Sequence, residues 1–385
     1  MKQLIWMMGL TLSLFGEWAE KTLETLSVEE KVGQLFIVPA CPKFETESLD
    51  VLMSSCHIGA VIIKQGHPKE QIPFLNRLQR RSKLPLLCTG DAEWGLGMRM
   101  EETLSFPKNG VLGKVKDLTL LYQVGKAIGT QCRIVGIHLN FAPVVDVNNN
   151  PENIIIGMRS FGEDPVRVAE CAAQVVQGMK EGGALSCLKH FPGHGDTSID
   201  SHKGLPLIPH DRAHLEKVEF VPFKQNLSAD AVMTGHLLVP ALDPEHPATL
   251  SKAIVTDLLK GEWGYQGLVV TDALNMKALS ERYTVEDIAL KAFLAGHDLL
   301  LYGSHRYNDV EVLLKEVIPK AYQAVLSEVK NGSIPLAVLD ARVLKILELK
   351  ERLGLHEQRE IPCPENLMEA LHNSAAQKLI ADLDE

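Results

Sequence analysis

The sequence predicts an α/β protein built as a single (β/α)8 barrel of the TIM type. Eight short apolar runs alternate with amphipathic segments across most of the 385 residues, and a barrel of that kind needs about 250 residues plus its connections. Polar side chains directly follow most of those runs, which matters because such a barrel assembles its active site from the carboxyl ends of its strands. A doubly wound sheet would also alternate. It usually needs fewer strands and a glycine-rich phosphate turn after the first, and no such turn follows the first run here.

The apolar runs are Gln34 to Pro39, Gly59 to Ile63, Leu86 to Thr89, Ile137 to Val145, Ala184 to Leu188, Ala231 to Thr234, Leu268 to Thr271 and Asp298 to Leu301. Before the first, Ser27 followed by Glu29 and Glu30 has the pattern of a helix start. Between runs, Pro165 to Glu181 and Val285 to Ala295 repeat apolar residues at three and four, as helices packed on a sheet do. After the eighth, Val310 to Val329 and Leu336 to Leu353 read as closing helices with charged outer faces. The barrel is expected over residues 21–355, with a tail over 356–385 that carries Pro362, Pro364 and a helix from Glu365.

Composition narrows the partner. Hydrophobic residues make up 45% and the net charge is −10, which speaks against a general affinity for nucleic acid or anionic membranes and leaves a small molecule or glycan. Seven scattered cysteines, Cys41, Cys56, Cys88, Cys132, Cys171, Cys187 and Cys363, include no C-x-x-C pair and imply no disulfide framework. Met1-Lys2-Gln3 and the apolar run Leu4 to Phe15 resemble a secretory signal, too short to span a bilayer and with a poor cleavage site near Glu17 and Ala19. Residues 1–20 are therefore set apart as a signal-like segment. It inclines the reading towards export to the periplasm or cell envelope over the cytoplasm, with no stable membrane association once removed.

Strand ends supply the candidate chemistry. Asp91 follows the third run, Asp146 ends the fourth, Lys189 and His190 follow the fifth, His236 the sixth, Asp272 the seventh and Tyr302 the eighth. From Lys189 to His202, three histidines, two aspartates and a lysine fall within fourteen residues whose glycines and proline forbid a helix. A solvated connection would not require so many groups that titrate near neutral pH. A metal site on His190, His194 and His202 would need spacings of four and eight off a helix, and these match no standard zinc pattern. No metal and no other cofactor is expected. In Gly267 to Met276, Asp272 ends a β-branched run before a helix, so it is either an N-cap or a catalytic carboxylate at the barrel mouth.

The runs KHFPGHGDTSIDSH, GLVVTDALNM, LSVEEKVGQLF and GMRSFGEDP together resemble glycoside hydrolase family 3, in its single-barrel β-N-acetylglucosaminidase branch, from about Leu26 to Leu355. The resemblance implies a retaining, exo-acting hydrolase that removes terminal N-acetylglucosamine, in bacteria often from peptidoglycan fragments. By motif, Asp272 matches the nucleophile, His202 the general acid/base and Asp200 its partner. Lys189, His190 and Arg159 match residues that hold sugar hydroxyls. Asp91 matches the aspartate of a D-x-E-G-G stretch and Arg99 the arginine after it. Trp94 stands where that stretch has a glycine, which leaves the loop's shape and its aglycone preference open.

The residues support this chemistry in their own right. A retaining glycosidase needs a nucleophile and a proton donor about 5 Å apart. Imidazole, titrating near pH 6.5, can both give and take a proton. Asp200 and His202, two apart on an extended segment, point to one side, where the carboxylate orients the ring. β-Glucosidase members of the family use a glutamate from a second domain, and only about 80 residues follow the eighth run, so a loop-borne donor is expected. The alternatives are a phosphorylase on the same site, a metal-dependent hydrolase using the histidine cluster, and a carbohydrate-binding barrel without catalysis.

Overall fold

The computed structural model describes residues 16–44, 47–197, 204–304 and 306–384. Its eight strands are β1 (Phe36–Ala40), β2 (Ala60–Ile63), β3 (Leu87–Gly90), β4 (Leu139–Asn140), β5 (Leu185–Phe191), β6 (Ala231–Thr234), β7 (Leu268–Thr271) and β8 (Leu300–Leu301). Each falls on or across one of the eight apolar runs. All pair in parallel, in the order β7-β6-β5-β4-β3-β2-β1-β8. The ring closes between β7 and β8 through a parallel bridge from Val270 to Leu299 and a hydrogen bond from Thr271 N–H to Leu299 O at 3.1 Å. The protein is an α/β (β/α)8 barrel, as the alternation predicts.

Every strand residue is buried. This explains why the strands read as continuous apolar runs and not as alternating ones: one face fills the barrel and the other meets helices. The register is regular except in β5, where Lys189 lies opposite Met233 and Phe191 opposite Thr234, leaving His190 as an extra residue. Such a bulge re-aims side chains. In a flat strand Lys189 and His190 would point to opposite faces; here both line the same cavity.

Helices cover the outside. Helix α1 (Glu17–Thr25) precedes α2 (Val28–Gly33), which opens on Ser27 with the reciprocal Ser27/Glu30 capping box. Further round lie α3 (Leu118–Ile134), α4 (Pro165–Gly182), the short α5 (Arg212–Lys217), α6 (Val285–Ala295) and α7 (Leu336–Arg352). The boundary drawn between residues 20 and 21 cuts through α1. Its amino end is held by Glu351 of α7, whose carboxylate accepts from Gly16, Trp18 and Ala19 N–H at 3.0, 3.1 and 3.2 Å. A carboxylate at a helix amino terminus satisfies otherwise unpaired donors and meets the positive end of the dipole. Residues 1–15 of the signal-like segment lie outside the described residues, and no described helix is long and apolar enough to cross a membrane.

The tail carries two helices, Leu367–Leu371 and Ser374–Asp384. It is tied back to the barrel by paired bonds between Asn76 and the Ile361 backbone at 2.9 and 2.7 Å, and Leu367, Leu371 and Leu379 join the core.

Polar groups at the amino ends of the strands are structural. Lys350 of α7 is fully buried and donates to Gln34 Oε1 at 2.7 Å and to Gly59 O at 2.9 Å. Burial pushes its ammonium down to about 7. Asp298, just before β8, accepts from Val269 N–H at 2.8 Å and pairs with Lys260, Lys345 and Arg342 at 2.9, 3.3 and 3.6 Å.

Helices α3 and α4 meet backbone to backbone. A Cβ on Gly178 would lie 2.1 Å from Tyr122 O, and one on Gly125, Gly129 or Gly182 would lie 2.4 to 2.5 Å from a facing carbonyl. Each helix thus places two glycines four apart on the contact. Gly178→Ala must push the helices apart and should cost about 3 kcal/mol in urea unfolding at constant m-value. An unchanged midpoint would show that the contact yields without cost.

Candidate active site

A cavity of about 970 Å³ opens where the strands end. Asp91, Arg99, Arg159, Lys189, His190 and Asp272, all expected from the sequence, line it together. Asp200 and His202 lie outside the described residues. Lys64, Glu93, His194 and Asn275 line the same cavity and were not among the residues assigned to it. Lys64 directly follows β2, so the strand-end signal that picked out Asp91 could have found it. Glu93 is two residues from Asp91 within the quoted motif.

The centre of the cavity floor is an ion network built from four strands' loops. Lys189 Nζ lies 2.8 Å from Glu93 Oε1 and 3.2 Å from Asp91 Oδ1. Arg159 grips Glu93 with both arms, Nε to Oε2 at 2.9 Å and Nη2 to Oε1 at 2.7 Å. Arg99 and Lys64 approach Asp91 Oδ2 at 3.4 and 3.7 Å. The side chains of Lys189 and Glu93 are only 3% and 2% exposed, so each charge depends on its partners. Burial alone would raise both carboxyls. Lys189 with Lys64 and Arg99 at Asp91, and Lys189 with Arg159 at Glu93, outweigh it and hold both well below the usual carboxylate range. Burial would likewise lower Lys189, but Glu93 and Asp91 raise it. Lys64 is the exception, because its burial outweighs Asp91 and pushes it down.

Asp272 stands apart. It follows β7 and forms no ion pair within 4 Å among the described residues; one oxygen accepts from Ala273 N–H at 2.7 Å. Burial would raise its carboxyl, yet the neighbouring His236 and His190, the Ala273 amide and Lys189 keep it below its ordinary value. The result is an ionised carboxylate with lone pairs left over, on the wall of the cavity. His236 holds the Asp272 turn from below, with Nε2 2.9 Å from Ala273 O and Nδ1 2.8 Å from Thr249 Oγ1. Asn275 clamps the same turn to the end of β8 by two reciprocal 3.0 Å bonds with Gly303.

Asp146, fully buried, organises the loop after β5. Its Oδ1 accepts from His190 N–H at 3.0 Å and His194 N–H at 2.8 Å, and its Oδ2 lies 2.7 Å from His190 Nδ1. An ionised Asp146 places the His190 proton on Nδ1 and leaves Nε2 for the cavity. Burial pushes His194 down to about 4, so this imidazole is neutral and its Nδ1 meets Thr197 Oγ1 at 2.8 Å. Tyr302, another strand-end residue, is buried against Phe36.

The arrangement can bind a polyhydroxylated ring through charged donors and acceptors while presenting a bare carboxylate to it. Trp94 lines one side of the cavity with the Lys108 ammonium 4.9 Å from its ring centre, an apolar face suited to a sugar.

Glu93→Gln should lower stability at pH 7 by about 3 kcal/mol, because Lys189 and Arg159 lose their shared counter-charge. The native carboxyl titrates below its unfolded value of about 4.3, so its contribution is present above that pH and is lost as pH falls through the depressed native value. The gap between wild type and variant in urea midpoint should therefore narrow below about pH 4. A gap that stayed constant with pH would contradict the network.

Residues 27–349 match the glycosyl hydrolase family 3 N-terminal domain. The chain is 37% identical over 334 residues to β-hexosaminidase A of Pseudoalteromonas piscicida, covering 79% of this chain and 55% of that one. It is 32% identical over 339 residues to β-hexosaminidase LpqI of Mycobacterium tuberculosis, covering 84% and 83%. The chain thus spans little more than half of the first relative and most of the second. Its fold superposes on a family 3 β-N-acetylglucosaminidase from Paenibacillus sp. str. FPU-7 with a TM-score of 0.84 and 35% identity, over 93% of this chain and 68% of that one. A barrel with these strand ends, matched along nearly all of its length, belongs to glycoside hydrolase family 3.

Proposed function

We propose that the protein is a retaining, exo-acting β-N-acetylglucosaminidase that hydrolyses terminal non-reducing N-acetylglucosamine from glycans, including peptidoglycan-derived fragments. The observation that carries the reading is Asp272: a partly buried carboxylate kept ionised without an ion pair among the described residues, at the end of a barrel strand and on the wall of the cavity. The hexosaminidase and N-acetylglucosaminidase names of its relatives supply the sugar.

In this mechanism Asp272 attacks the anomeric carbon as the glycosidic bond to the aglycone oxygen breaks, and His202 gives that oxygen its proton. Asp200 orients the imidazole and stabilises its charged form. His202, now neutral, takes a proton from water as the water oxygen attacks the anomeric carbon and Asp272 leaves. Two inversions retain the configuration. Asp91, Arg99, Arg159, Lys189 and His190 hold the sugar's hydroxyl groups, and the contacts of Asp91 with Lys189 and Arg99, of Arg159 with Glu93 and of His190 with Asp146 keep them in place before substrate arrives. A histidine donor also avoids placing a second carboxylate beside an aglycone that carries one.

Asp272→Asn should reduce hydrolysis of an aryl N-acetylglucosaminide by about four orders of magnitude or more, and a mechanism-based fluoro-sugar should label Asp272 in the wild type, as read by peptide mass. Labelling elsewhere, or inverted product by NMR, would overturn the assignment. His202→Ala should cost about 10²-fold or more with a poor leaving group and much less with an activated one, because only the poor leaving group needs its proton. Equal losses with both would remove His202 as the acid. Running the same assay with and without phosphate separates hydrolysis from phosphorolysis: formation of a glycosyl phosphate would show that phosphate, not water, is the acceptor.

A further inference from the structure

We propose that Asp196, His210, His214 and Glu219 form a binding site for a divalent transition-metal ion of the zinc class, separate from the sugar cavity. One ligand atom from each of the four lies within 4.8 Å of the others, and none of the four lines the cavity.

The local structure brings them together from spacings of fourteen, four and five in the chain. Asp211 caps α5 by accepting from His214 N–H at 2.8 Å, which sets His210 just before the helix and His214 in its first turn. The two imidazoles then stack, with centroids 3.8 Å apart and planes 18° apart. His210 Nε2 hydrogen-bonds Asp196 Oδ2. Asp196 belongs to the loop after β5, and Gly193 of that loop has φ +131° and touches Glu219 so closely that a Cβ would lie 2.7 Å from the Glu219 Cβ. Only a glycine allows this approach.

Glu219 is the independent sign of a ligand. Its side chain is 2% exposed, and neither carboxylate oxygen has a hydrogen-bond partner among the described residues. Among the described residues the nearest cationic candidate is His214 Nε2 at 3.6 Å, an atom that is buried and has no hydrogen bond there although its ring is partly exposed. A buried carboxylate is costly unless a cation meets it. A divalent ion meets both carboxylates and both imidazoles at once. Zinc bonds of about 2.0–2.2 Å put tetrahedral ligand atoms about 3.4 Å apart, so the four need to close by little more than an ångström. Two imidazoles with two carboxylates suit zinc, cobalt or nickel and not magnesium or calcium, which prefer oxygen ligands throughout.

The test uses the full chain, stripped with a chelator and dialysed. Calorimetric titration with Zn²⁺ should show one ion per chain with micromolar or tighter affinity, and Co²⁺ should give the visible absorption of a four-coordinate site. Both His214→Ala and Glu219→Gln should weaken Zn²⁺ binding by more than about tenfold. If Glu219→Gln does not fold, the partly exposed His210 supplies the second variant, His210→Ala, with the same expectation. Absence of saturable Zn²⁺ binding would overturn the proposal. Undiminished affinity in the double variant His210→Ala/His214→Ala would do so too, because the ion would then sit on other histidines.

Discussion

Closure of eight short parallel strands into one ring is the constraint on which everything else rests. Because every strand runs the same way, all eight carboxyl ends reach one rim, and residues far apart in the chain face a common cavity. Lys189 and Asp91 are 98 positions apart in sequence and 3.2 Å apart in space. The opposite rim uses the same residue types for a different purpose. There Lys350 and Asp298 are buried among backbone groups and ion partners, and they seal the amino ends of the strands.

Electrostatics divides the carboxylates of the cavity into two kinds. Asp91 and Glu93 are paired with Lys189, Arg159, Arg99 and Lys64, and their charge fixes the cationic groups in place. Asp272 is charged by its surroundings as a whole and bonded to one amide, which leaves it open to the cavity. The same side chain type is thus tied down or left open according to how many donors reach it.

The loop after β5 joins the two halves of this arrangement. The bulge at His190 turns two successive side chains into the cavity, and Asp146 holds the loop by three bonds from a single buried carboxylate. From the same loop, Asp196 turns away towards α5 and its two histidines. One short stretch of chain therefore serves the strand-end cavity on one side and a second polar cluster on the other. This accounts for its density of titratable groups better than either role alone.

Much of this was legible in the chain itself. The apolar runs locate all eight strands because strands buried on both faces are built mostly of apolar residues, and the polar residues after most runs mark the rim where that burial ends. The Ser27 capping box and the span of α6 are equally local, since short-range backbone needs decide them. Tertiary structure decided the rest. That Glu93 pairs with Lys189 and Arg159, that Lys64 joins Asp91, that His236 holds the Asp272 turn, and that Asp196 meets His210, His214 and Glu219 all follow from which strand ends and loops become neighbours. So does the packing of Gly125 and Gly129 against α4. A sequence records which groups sit at the ends of its strands, but the distances that set their charge exist only once the ring has closed.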